Sequence, residues 1–145
     1  SSGKLIDVRF LDFQLVRLGS PVCDLSYCLY SGGTKETFDD LDHLLQIYHD
    51  SLSENIRAYG CDPDELYPLK ALKDDWKVYF HWGVRFGFSV WRGKLVYDDE
   101  VLDLTDVATE DGENVQKFTD TKFDEKTFKE RTRDIILHLY ENNLL

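Results

Sequence analysis

The sequence predicts an α+β domain, mostly α-helical, that begins on a β-strand. Three observations carry that expectation. Residues 5–13 alternate Ile6, Val8 and Phe10 against Asp7, Arg9 and Leu11, the period of two that a strand requires. Leu41, Leu44, Leu45, Tyr48, Leu52, Ile56 and Tyr59 recur at spacings of three, four and seven, which places them on one helical face. Trp76, Tyr79, Phe80, Gly83, Val84, Gly87, Phe88 and Trp91 form a second broad stripe of the same kind. With 145 residues, 42% of them hydrophobic and 14% aromatic, the chain has the size of one domain and is far too apolar for intrinsic disorder.

In chain order, the strand over residues 5–13 is expected to pair with a strand upstream of residue 1, as one arm of a β-hairpin. A short apolar helix follows over residues 24–30, with Asp24 at or near its N-cap and Gly32 and Gly33 closing it. The next helix takes Thr37 as N-cap, runs through the Leu41 to Tyr59 stripe and stops at Gly60. Asp62 and Pro63 have the cap-plus-first-turn-proline order that opens a short helix, and Pro68 ends it before a long helix from Leu69. Gly83 and Gly87, four apart on the long helix, lower its intrinsic propensity and leave room for a second helix to approach closely. Residues 98–113 hold eight acidic side chains and no basic one, and they carry the weakest pattern for regular structure. Asp124 is placed to cap a last helix whose buried stripe is Phe128, Thr132, Ile135, Ile136, Leu139 and Tyr140.

The net charge of −11 opposes a polyanionic partner, so neither nucleic acid nor an anionic membrane surface is expected. No apolar run reaches the length of about 18 residues that a membrane span needs. Cys23, Cys28 and Cys61 lack metal-ligand spacing and cannot all be paired, and they read as buried free thiols in a reducing, cytoplasmic compartment. Methionine is absent, so Ser1 is not expected to be a translation start, and the chain is expected to be a partial domain spanning residues 1–145.

The chemistry-bearing stretch is Val8-Arg9-Phe10-Leu11-Asp12-Phe13-Gln14, followed by Ser20-Pro21-Val22-Cys23-Asp24-Leu25. An apolar strand that delivers a carboxylate into a turn fixes its backbone and leaves its oxygens free, which suits a hard divalent cation. Phosphoryl transfer needs such a cation to gather the phosphate charges. An aspartate at a strand end also commonly just begins a turn, and Asp-Phe-Gln alone does not separate the two.

The longer string does. Asp-Val-Arg-Phe-Leu-Asp-Phe-Gln, with Ser-Pro-Val-Cys-Asp-Leu-Ser-Tyr-Cys-Leu-Tyr after it, resembles the ecdysteroid kinase-like family, and the likeness runs on through Leu44, Tyr48 and Leu52 toward the closing helix. That family is related to choline kinases and aminoglycoside phosphotransferases and has the two-lobed protein-kinase-like fold. The resemblance implies that this chain is a C-terminal lobe portion beginning at the hairpin strand. It implies that Asp12 holds magnesium on the ATP phosphates, that Leu11 lies at the floor of the adenine pocket, and that Asp24 supports the catalytic loop. Only eleven residues separate the two aspartates, leaving no room for a long activation segment and favouring a small-molecule substrate. The family's catalytic loop and N-terminal lobe would precede Ser1, so the complete protein is expected to use ATP and Mg2+ on a hydroxyl of an ecdysteroid or another small alcohol. This chain alone is expected to be inactive.

The aromatic stripe itself reads as core. Trp82 and Phe86, off that stripe, are the candidate substrate-binding residues, with His81 beside them as a hydrogen-bonding group. The acidic stretch does not follow the alternation of a calcium loop and reads as solvated. His43 and His49, six apart, do not share a helical face. A different class of reading is also open: a non-catalytic remnant that binds a small molecule or a protein partner.

Overall fold

The computed structural model describes residues 7–9, 16–101 and 120–145. Within them lie helices α1 (Val22–Gly32), α2 (Lys35–Asp39), α3 (Leu41–Ala58), α4 (Pro63–Leu66) and α5 (Leu69–Lys94). A 3-10 turn (Asp98–Glu100) and helix α6 (Glu125–Glu141) complete the order. The mostly helical class is as expected. Of the strand expected at the start, Asp7, Val8 and Arg9 are described, exposed and outside regular structure; Leu11, Asp12 and the rest lie outside the described residues. Pairing of β type among the described residues is a single antiparallel bridge between Val96 and Phe123. It is flanked by Tyr97 N–H donating to the Lys122 carbonyl (3.2 Å) and Asp124 N–H donating to the Leu95 carbonyl (2.9 Å), so the end of α5 meets the start of α6.

The pair α1 and α5 organises the molecule. Gly83 and Gly87 present bare backbone to α1, and Gly83 N–H donates to the buried Ser26 Oγ at 3.2 Å. Two of the last carbonyls of α1 are satisfied from α5. Trp91 Nε1 donates to the Tyr30 carbonyl (2.9 Å) and Lys94 Nζ to the Ser31 carbonyl (2.8 Å). α1 has no basic residue in its own last turn, so Lys94 supplies the cation its C-terminus favours. The core consists of Val22, Tyr30, Phe38, Leu45, Leu72, Trp76, Ile135 and Leu139, drawn from α1, α2, α3, α5 and α6.

Several sequence expectations are corrected. Asp24 lies near the N-cap of α1, in its first turn, but the helix begins two residues earlier, with Pro21 as N-cap and no side-chain cap. The long helix expected from Thr37 is two helices. Thr34 caps α2 in a capping box that uses Thr37, whose Oγ1 accepts the Thr34 N–H at 3.2 Å, and the chain breaks at Asp40. Gly60 stops α3 as expected, with φ of +77°. Asp62 caps α4 by accepting the Asp64 N–H at 2.9 Å, and Asp124 caps α6 by accepting the Thr127 N–H at 3.1 Å.

Tyr79 is exposed, because the stripe on α5 is broader than the strip its neighbours cover. On α6 the buried side chains are Ile135, His138 and Leu139, whereas Ile136 and Tyr140 are exposed. Ile136 and Tyr140 sit one position, about 100° of helical turn, beyond Ile135 and Leu139. The three cysteines are free, but Cys28 and Cys61 are exposed and Cys23 is half-buried, so the expectation of buried thiols fails. All three stand on helix surfaces or a loop that the core does not reach. Among the described residues no helix is long and apolar enough to cross a membrane.

Candidate functional site

Leu11 and Asp12 lie outside the described residues, so the site is built from the helix that follows them. Asp24 is exposed in the first turn of α1, where a carboxylate is favoured by the helix dipole. It makes no hydrogen bond or ion pair among the described residues. The phenol of Tyr48 on α3 is pushed up by burial and then by the Asp24 carboxylate. The turn just before α1 is anchored to α5. Asp75 Oδ2 accepts Ser20 Oγ–H at 2.6 Å and Tyr67 O–H at 2.7 Å. Burial, then the bond to Asp75, raises the Tyr67 phenol to about 12.

One helical turn beyond Asp24, Tyr27 joins an exposed aromatic cluster. Its ring meets Phe86 edge-on at 6.2 Å, and Phe86 lies 4.9 Å from Trp82. These side chains remain 42% (Tyr27), 38% (Phe86) and 48% (Trp82) exposed, so the cluster is a surface and not core. It continues from the α1 face that carries Asp24. Trp82 and Phe86, expected together from sequence, are therefore together; Tyr27 was missed. Its signal was its place three residues after Asp24, on the same face of the helix.

His81 is exposed, and its ring contact is with Phe80, edge-on at 6.0 Å, rather than with Trp82 or Phe86. His49 is buried, with Nε2 3.0 Å from the Tyr67 carbonyl and Nδ1 3.4 Å from Ser53 Oγ, which is a structural role. Among the described residues no group of three His, Cys, Asp or Glu side chains is arranged to hold a metal ion.

The stretch from the Asp12 motif through the exposed Asp24 of α1 is similar to a known family. Residues 1–61 match the ecdysteroid kinase-like family. No curated protein and no solved structure matches the chain. The ecdysteroid kinase-like match spans Leu11, Asp12, Asp24 and Tyr27 and reaches through α1, α2 and α3 to Cys61. His81, Trp82 and Phe86, on α5, lie beyond it. The likeness read from sequence across nearly the whole chain is thus carried by the family match as far as Cys61.

Proposed function

We propose that this chain is part of the C-terminal lobe of an ATP-dependent phosphotransferase that acts on a hydroxyl group of a small molecule. The ecdysteroid kinase-like match over the Asp12 motif and α1 carries the reading. Asp12 offers a hard carboxylate of the kind magnesium takes. Bound there, magnesium neutralises charge on the phosphates.

Leu11 supplies an apolar floor for the adenine. Asp24 serves the backbone of the catalytic loop as a support and not as a ligand. Tyr27, Phe86 and Trp82 give apolar ring surface to the acceptor alcohol, and His81 stands at its margin as a hydrogen-bonding group. An ecdysteroid or another small alcohol fits such a surface, and the free thiols fit a cytoplasmic setting.

The test is phosphate transfer from radiolabelled ATP to a panel of hydroxylated steroids and small alcohols by the complete protein, wild type beside Asp12→Ala. Turnover that the substitution abolishes is expected; turnover that survives it refutes the role of Asp12. The exposed Tyr27, Phe86 and Trp82 cluster favours a second reading, a non-catalytic binding module. Absence of turnover in the wild type, with ligand-dependent quenching of Trp82 fluorescence, would establish that one.

A further inference from the structure

We infer that Asp75 is a positioning residue for Asp24, an inference that rests on the kinase-like reading of Asp24 as loop support. Helix α1 begins after Pro21, whose side chain offers no cap, so its first turn is held by the residue before it. Ser20 holds it from outside the helix. Its carbonyl accepts the Cys23 N–H at 3.1 Å and its Oγ accepts the Val22 N–H at 3.3 Å, while the Pro21 carbonyl accepts the Leu25 N–H at 3.0 Å. The same Ser20 Oγ–H is committed to Asp75 Oδ2 at 2.6 Å, and that oxygen also receives the Tyr67 O–H at 2.7 Å.

Asp75 has no cationic partner among the described residues and is half-buried on α5. A carboxylate that takes two hydroxyl bonds on one oxygen makes short, charge-assisted contacts of defined direction. It links three segments at one point: the turn before α1, the α4–α5 junction through Tyr67, and the first turns of α5. The Asp24 side chain, in the first turn of α1, makes no bond among the described residues, so its place follows from the backbone of that turn, which Ser20 and hence Asp75 anchor.

The experiment compares wild type, Ser20→Ala, Asp75→Leu and Asp75→Asn by native-state hydrogen exchange resolved by residue, and by phosphate transfer in the complete protein with kcat and the KM for ATP separated. Ser20→Ala and Asp75→Leu are expected to speed exchange at Val22 to Ser26 about tenfold or more while amides of α6 stay within about twofold. In the same variants kcat falls about tenfold and KM for ATP holds within about twofold. Asp75→Asn, whose amide oxygen still accepts both hydroxyls, restores both.

Ser20→Ala removes a single half-buried hydroxyl and keeps the test open if Asp75→Leu does not fold. Exchange at the start of α1 that moves no more than in α6, or kcat unchanged in Ser20→Ala, overturns the inference. Expected exchange changes in a protein whose wild type transfers no phosphate overturn the kinase reading instead, leaving Asp75 as the anchor of α1.

Discussion

Replacing Gly83 by alanine tests the central packing of the fold. A Cβ on Gly83 would stand 2.1 Å from the Ser26 carbonyl carbon, 2.3 Å from its oxygen and 2.5 Å from the Tyr27 nitrogen. Carbon contacts settle near ~3.5–4.0 Å, so α1 must withdraw by more than about 1 Å. These are backbone atoms, and no rotamer change moves them aside. Overpacking of this sort lowers stability by about 1–3 kcal/mol. Withdrawal also weakens the Gly83 N–H to Ser26 Oγ bond of 3.2 Å. That loss is about 1 kcal/mol and offsets the roughly 1 kcal/mol that alanine gains over glycine in a helix. The net expectation is a loss of about 2–3 kcal/mol, at the upper end of the overpacking range because the obstruction is main chain.

Gly93, on the same helix, is the control, since nothing lies within 4 Å of its Cβ position. Gly93→Ala should gain up to about 1 kcal/mol. Urea unfolding followed by helical circular dichroism, with the slope checked for constancy, reads both. Gly83→Ala as stable as the wild type, or both variants shifting the same way, would refute the close approach of α1 to α5.

Three further outcomes are expected. Leu72→Ala empties a position with no solvent exposure and should lower stability by about 2–5 kcal/mol in the same unfolding assay; a loss under about 1 kcal/mol would mean the site is not core. His138 is buried between Tyr30 and Phe38, and its imidazole is held below the ordinary histidine value, first by burial and then by Lys35, against the pull of Asp39 and Glu141.

The unfolded chain therefore binds that proton more readily, and His138 favours the fold fully above about pH 6.5 and progressively less as pH falls from there toward the folded value. Wild-type stability should drop as pH falls below about 6.5, and His138→Gln should flatten that drop; equal slopes would show that another group is responsible. Finally, a thiol reagent should label the exposed Cys28 and Cys61 quickly and the half-buried Cys23 slowly, read by mass spectrometry. Uniform rates would contradict the burial of Cys23.

The sequence by itself determined the features that depend on neighbours along the chain. Helix periodicity over Leu41 to Ile56, the caps at Asp62 and Asp124, the stop at Gly60 and the family motif around Asp12 all act within a few residues, so spacing alone exposes them. Gly83 and Gly87 were legible as a place for close approach because the absence of a side chain is itself a sequence fact. What they met was not: Ser26 and Tyr30 lie more than fifty residues away.

The tertiary structure also decided which part of each broad apolar stripe was covered, burying Trp76 and Leu139 and leaving Tyr79, Ile136 and Tyr140 in water. It placed a histidine, His138, in the core, where a face shared with Ile135 and Leu139 hinted at it but polarity argued otherwise. It gathered Tyr27 with Phe86 and Trp82, and Ser20 with Tyr67 and Asp75, from separate helices. Hydrogen bonds and ring contacts across the fold depend on how α1 and α5 cross, and that crossing is set by packing in three dimensions, which no local pattern encodes.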